Sequence, residues 1–180
     1  GSKMLQAAFE HHILRHIDNS AGIEHFPKRQ LDMCRLGLGL YGINPRNNAI
    51  INIVSTLRTT ILQLREVKAG DTVGYSRRGK IEHDSLIAAI PIGYADGLNR
   101  RLGNRNGYCL VNNQRAEYVG NICMDVAMID VTGIDCHEGD SVEIFGDNLP
   151  VTVLSDALQT IPYEVLTGIS NRVNRVYFQD

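Results

Sequence analysis

Two kinds of sequence meet just after Asn47-Asn48, and the join limits what the chain can fold into. Ahead of it, Leu5, Ala8, Phe9, His12, Ile13 and His16 recur near the helical period. Residues 5–17 therefore read as a helix, or as a helix running into a short strand at Ile13-Leu14-Arg15-His16. Asp18-Asn19-Ser20-Ala21-Gly22 is a turn rich in N-cap residues. Pro27 opens a short helix through Gln30, and residues 33–42 form an apolar strand broken by Gly37, Gly39 and Gly42. This is one strand–turn–helix–strand unit. A parallel α/β sheet needs several such units, so the segment reads as the end of a larger one.

Behind the join, residues 50–67 are rich in Ile, Val, Leu and Thr and read as one long strand. Further strands are predicted over 86–92, 108–111, 115–119, 126–131 and 141–145, separated by Gly, Asn and Asp clusters. Short strands at this spacing predict an antiparallel barrel or sandwich. A helix capped by Thr152 or Ser155 follows over 153–159, then a second from Pro162 over 163–169 and a final strand over 173–178. The fold class is mainly β: residues 49–180 form a β-domain with a helical segment near 153–170, preceded by a partial α/β unit over 4–48.

Composition narrows the function classes. Of 180 residues, 18 are Lys or Arg and 20 Asp or Glu, a net charge of −2 that argues against a nucleic-acid footprint or a polybasic membrane patch. Charged residues at 21% and apolar residues at 43% exclude a disordered chain. No apolar run approaches the ~20 residues that span a bilayer. The N-terminal stretch does not read as a signal peptide, and Gly1-Ser2-Lys3 reads as a cloning remnant of residues 1–3, set outside the fold argument. Cys34, Cys109, Cys123 and Cys136 lack C-x-x-C spacing, so neither a disulfide framework nor a zinc site is expected. Free thiols fit a cytoplasmic location.

In Pro91-Ile92-Gly93-Tyr94-Ala95-Asp96-Gly97 an apolar strand runs into a turn that leaves a tyrosine at its end. Tyr94 is either a rim tyrosine bonded to backbone or a base. As a base it starts from a pKa of about 10 and needs a cationic neighbour. Asn121-Ile122-Cys123-Met124-Asp125 is either a hairpin connection or a place where a backbone N–H faces a small anion. Arg35 lies in an apolar run, where a charge needs a partner, and His16 is a candidate. Ser20 and the glycine-rich Arg35-Leu36-Gly37-Leu38 offer hydroxyl and backbone donors for a phosphate.

In this order, these segments resemble bacterial alanine racemases. The resemblance rests on His16-Ile17-Asp18-Asn19-Ser20-Ala21, the run from Asp32 to Gly42, Gly93-Tyr94-Ala95-Asp96-Gly97, Gly120-Asn121-Ile122-Cys123-Met124-Asp125, Ile129-Asp130-Val131-Thr132 and Ile161-Pro162-Tyr163-Glu164. It implies a pyridoxal 5'-phosphate enzyme with an N-terminal (β/α)8 barrel, of which residues 4–48 would be a remnant, and a C-terminal β-domain. It implies a head-to-tail homodimer that interconverts L- and D-alanine for peptidoglycan precursors. By motif position Tyr94 would be the catalytic tyrosine, Arg35 would face the pyridine nitrogen, and His16 would hydrogen-bond Arg35. Ser20, the backbone of Gly37 and Leu38, and Tyr163 would hold the phosphate. The Met124 N–H would bind the substrate carboxylate, with Tyr94 and Met124 supplied by the partner subunit.

Nothing here matches the family's Schiff-base lysine. Lys28, Lys68 and Lys80 fall in loops or polar turns. The chain is therefore expected to be a piece of the enzyme: inactive alone, at most a weak cofactor binder, and partnered by the missing barrel. Leu98 and Val126 depart from the familiar motif continuations. The Arg-Leu-Gly-Leu-Gly-Leu wording also resembles racemase halves fused behind a cell-wall peptide ligase. The alternatives are a non-catalytic β-barrel assembly module, or a related racemase acting on another small amino acid such as serine.

Overall fold

The structure, a computed structural model, describes residues 2–178. The chain divides into two compact units, one ending at Val54 and the other starting at Ser55.

The first unit opens with helix α1 (Ser2–Ala7), which includes residues the sequence reading set aside and stops well short of residue 17. The Gln6 side chain ends it by capturing the segment that follows. Its Nε2 donates to His11 O at 3.0 Å, and its Oε1 accepts from Ile13 N at 2.9 Å. Helix α2 (Ser20–His25) starts as the turn residues predict, with Asn19 Oδ1 accepting from Gly22 N. A 3-10 turn follows at Pro27–Arg29.

The two predicted strands of this unit shrink to a single parallel bridge between His16 and Met33. Its register is fixed by Arg15, whose guanidinium holds Asp32 at 2.8 and 2.9 Å. Those hydrogen bonds keep the Asp32 carboxyl well below the usual carboxylate range. The remainder of residues 33–42 is not a strand. It turns into a 3-10 segment at Leu38–Tyr41, closed by Gly42 in the left-handed region at φ +70. A Cβ at Gly42 would fall 1.9 Å from Asn52 O, so only glycine permits this reversal. Leu38 and Ile43 are buried, whereas Leu14, Ile17, Leu36 and Leu40 remain exposed.

The second unit is the β-domain. Its strands are β1 (Leu57–Thr60), β2 (Gln63–Val67), β3 (Thr72–Val73), β4 (Gly79–Lys80), β5 (Ser85–Ile90), β6 (Tyr108–Val111), β7 (Gln114–Val119), β8 (Ala127–Asp130) and β9 (Ser141–Phe145). Seven of them form one antiparallel sheet in the order β1-β9-β6-β7-β8-β5-β2, and β3 pairs with β4.

Of the long strand predicted over 50–67, residues 50–56 form no strand beyond an isolated Ile43–Ile50 bridge, and the rest is really two strands, at opposite edges of this sheet. Only Ile61 and Leu62 separate them, and two residues reach roughly 7 Å. The sheet must therefore curl until its edges nearly meet. Ile61 N donates to Asp140 O at 3.0 Å, and Leu62 N donates to Ala89 O at 2.8 Å, which stitches the gap. The interior is apolar: Ile61, Ile90, Val111, Ile129, Val142 and Ile144 are fully buried.

Helices α3 (Val151–Leu158) and α4 (Pro162–Thr167) follow the sheet. The first begins after Pro150 without a side-chain cap, rather than at Thr152 or Ser155, because Pro fixes the φ a helix start needs. The final strand predicted over 173–178 is absent, and that stretch is irregular.

Candidate active site

At the sheet rim, residues 93–97 turn back against residues 121–126. Gly93 is buried, and a Cβ there would lie 2.3 Å from Met124 O and 2.4 Å from Cys123 O. This close approach lets Tyr94 N donate to Cys123 O at 2.9 Å and Ala95 N to Met124 O at 3.0 Å. The buried Asp96 carboxylate closes the turn by accepting from Gly93 N at 2.8 Å. Tyr94 and Met124 are thus brought together, the residues 43% and 53% exposed.

Both line an open cleft of about 570 Å³ that also takes in Tyr75, Arg100 and the 121–126 loop. The Arg100 guanidinium lies over the Tyr94 ring, 5.8 Å from its centre. Among the described residues, no acceptor within the chain takes the Met124 N–H.

Sequence reasoning missed Tyr75. It is 74% exposed and sits on a turn in which Gly74, Ser76 and Arg77 all have φ between +53 and +79. Non-glycine residues in that region carry strain, and strain collects at functional sites. Asn121 Nδ2 donates to Tyr75 O at 3.3 Å and ties this turn to the loop that carries Met124. One signal was available: Gly74-Tyr75 repeats the Gly93-Tyr94 pairing.

In the first unit, Ser20 and Gly37 come together. The Ser20 hydroxyl is buried and accepts from Gly37 N at 2.7 Å, with the Leu38 backbone next in the chain. The Ser20 hydroxyl proton and the Leu38 N–H suit a phosphate, and the Gly37 N–H joins them only if it turns from Ser20 Oγ. The Oδ2 of neighbouring Asp18 is buried without a partner. The expected His16–Arg35 hydrogen bond is not formed among the described residues. Arg35 Nη2 donates to Ile17 O at 3.0 Å, one residue past His16, and His16 is exposed. Tyr163 lies on α4, where its carbonyl accepts from Thr167 Oγ1.

Lys28 lies in the Pro27–Arg29 turn, Lys68 pairs with Asp84, and Lys80 ends β4. None of them belongs to these segments. No cluster of His, Cys, Asp and Glu among the described residues could hold a metal.

The curled β-domain thus presents two exposed rim phenols beside a Met124 N–H that no acceptor among the described residues takes. The family comparison makes this specific. The model of the alanine racemase C-terminal domain matches residues 54–177, and the chain belongs to that family. It is 40% identical over 183 residues to an alanine racemase of Desulfosudis oleivorans, covering 96% of this chain and 47% of that protein. It is 42% identical to alanine racemase 1 of Caldanaerobacter subterraneus, covering 93% and 45%. Among solved structures, the Bartonella henselae alanine racemase with covalently bound pyridoxal phosphate superposes with a TM-score of 0.86 at 33% identity. That match covers 98% of this chain and 50% of the other. The chain spans about half the length of the curated relatives it matches.

Proposed function

We propose that this chain forms the C-terminal part of a pyridoxal-phosphate-dependent alanine racemase and supplies the rim of its active site. The observation that carries the proposal is the cleft where two exposed phenols and the unpaired Met124 N–H converge. When bound, the cofactor draws electron density from the amino-acid Cα and makes its proton removable.

This chain's residues do the rest. The Met124 N–H holds the substrate carboxylate. A phenol moves the proton at one face of Cα, and a base on the other face, outside these segments, completes racemisation. The exposed, strained turn favours Tyr75 for the proton. Tyr94, anchored through its backbone and covered by Arg100, forms the wall beside it. Ser20 Oγ and the Gly37 and Leu38 amides would hold the cofactor phosphate, joined by Tyr163. Arg35 would lie toward the pyridine nitrogen.

The partners follow from the same reading: an N-terminal barrel carrying the cofactor-binding lysine, and a head-to-tail second subunit whose rim faces it. The product, D-alanine, would serve peptidoglycan precursor synthesis in the cytoplasm. No helix among the described residues is long and apolar enough to cross a membrane.

A full-length chimera in which this chain replaces the corresponding half of the Desulfosudis oleivorans relative tests the reading. It should racemise alanine in preference to serine. Tyr75→Phe should lose at least about 100-fold in rate, the usual scale for removing a general acid or base. An inactive chimera, or full activity in both Tyr75→Phe and Tyr94→Phe, would refute it. The second outcome would fit an assembly module instead.

A further inference from the structure

One guanidinium joins the two segments that form the cleft. Arg172 Nε lies 3.1 Å from Asp96 Oδ1, and its Nη2 lies 2.6 Å from Asp125 Oδ1. Asp96 belongs to the Tyr94 turn and Asp125 follows Met124. The two carboxylates differ in setting: the Asp96 side chain is 13% exposed, whereas that of Asp125 is 51% exposed. Asp96 is already committed, since its other oxygen accepts Gly93 N. Asp125 makes no such structural bond among the described residues.

Arg172 is itself braced. Ser170 N donates to Asp96 O at 3.0 Å, and Arg172 N donates to Ser170 Oγ at 3.3 Å. Arg175 donates to the Ile169, Ser170 and Val173 carbonyls, which holds the surrounding chain in a tight turn. The irregular stretch at 169–175, where a strand was expected to begin, is therefore a clasp built around one fork of donors.

We propose that Arg172 is a positioning residue for substrate binding. It fixes the Met124 peptide against the Tyr94 turn by spanning Asp96 and Asp125. This deepens, and rests on, the racemase reading above. Its chemistry needs the planar guanidinium, which presents separate donors to two carboxylates. An ammonium is a point charge and serves one of them well. If Met124 N–H holds the substrate carboxylate, loosening the clasp costs binding equally in ground and transition states. KM rises while kcat changes little.

Two variants isolate the effect. Asp125→Asn leaves the Asp96 pair in place, and Arg172→Lys keeps a charge at Asp96. Both should fold as well as the parent. In the chimera each should raise KM for alanine about tenfold, within the range that small misplacements produce, with kcat within about twofold. In this chain alone, both should shift the Met124 amide resonance while leaving those of β6 and β7 unchanged.

An unchanged KM with an unmoved Met124 resonance overturns the proposal. So does a loss of melting temperature that parallels the KM change, or full rescue by lysine, since those mark a merely structural bridge. If the unsubstituted chimera is inactive, the racemase reading falls, and the Met124 resonance still decides whether Arg172 positions that peptide.

Discussion

Gly93→Ala should damage the rim by a steric clash alone. The φ of Gly93 lies outside the left-handed region, so the cost is purely steric. The new Cβ would meet backbone atoms at 2.3 and 2.4 Å, which cannot rotate away. Overpacking of this kind costs about 1–3 kcal/mol. Separating the segments also lengthens the Tyr94 N to Cys123 O and Ala95 N to Met124 O bonds, worth about 1 kcal/mol each.

The sum is about 3–5 kcal/mol. With a urea slope of about 2 kcal/mol per molar, the unfolding midpoint should fall by roughly 2 M. The chain has no tryptophan, so tyrosine fluorescence and near-UV circular dichroism report the transition. Gly139→Ala is the control. It has φ +93 with nothing within 4 Å of a Cβ, so it carries only the left-handed penalty of about 1–2 kcal/mol. Equal midpoints for the two variants would show that the turn does not rest on the Cys123–Met124 backbone as described.

Other outcomes follow from the same contacts. Burial pushes the Glu143 carboxyl up, but the Asn148 and Leu149 amides and Arg58 outweigh it and hold its pKa below the ordinary value. It therefore stabilises the fold above the unfolded value of about 4.3, and that contribution is lost as pH falls through the lower folded value. Glu143→Gln should cost about 1–3 kcal/mol at pH 7 and nothing at acid pH, as urea titrations at both values will show. The Tyr118 hydroxyl is buried without a hydrogen-bond partner of good geometry, so Tyr118→Phe should melt within a few degrees of the parent or above it. Ser20→Ala should weaken pyridoxal phosphate binding by the chimera about tenfold, the loss of one charge-assisted bond, read by cofactor titration.

The β-domain was largely legible because its signals are local. The run 108–111 alternates between half-exposed and buried residues, and the run 141–145 is apolar and buried but for its exposed Ser141 and the buried Glu143. Both end at Asn or Gly turns, and the sheet contains both at those bounds. The 50–67 run was misread because β-propensity continues through Ile61-Leu62 while the pairing partner changes, and partners are not written in a strand's own residues. The first unit was misread because its strands have no full ladder to join, so the side chains of Gln6 and Arg15 decide the local path.

Motif order pointed to Tyr94 and Met124, and the structure sets them side by side at the sheet rim. Tyr75 escaped because what distinguishes it is backbone strain, and Ser76 and Arg77 give no sign in sequence of adopting positive φ. The Arg172 bridge spans 47 residues to Asp125 and could not be read from spacing.

The most direct measurement is the exchange of the alanine Cα proton with deuterated water, followed from each enantiomer separately, in the chimera carrying Tyr75→Phe. If the rim phenol serves one face of Cα, exchange starting from one enantiomer collapses while exchange from the other persists. Undiminished exchange from both would contradict the claim that Tyr75 moves the proton at one face of the substrate.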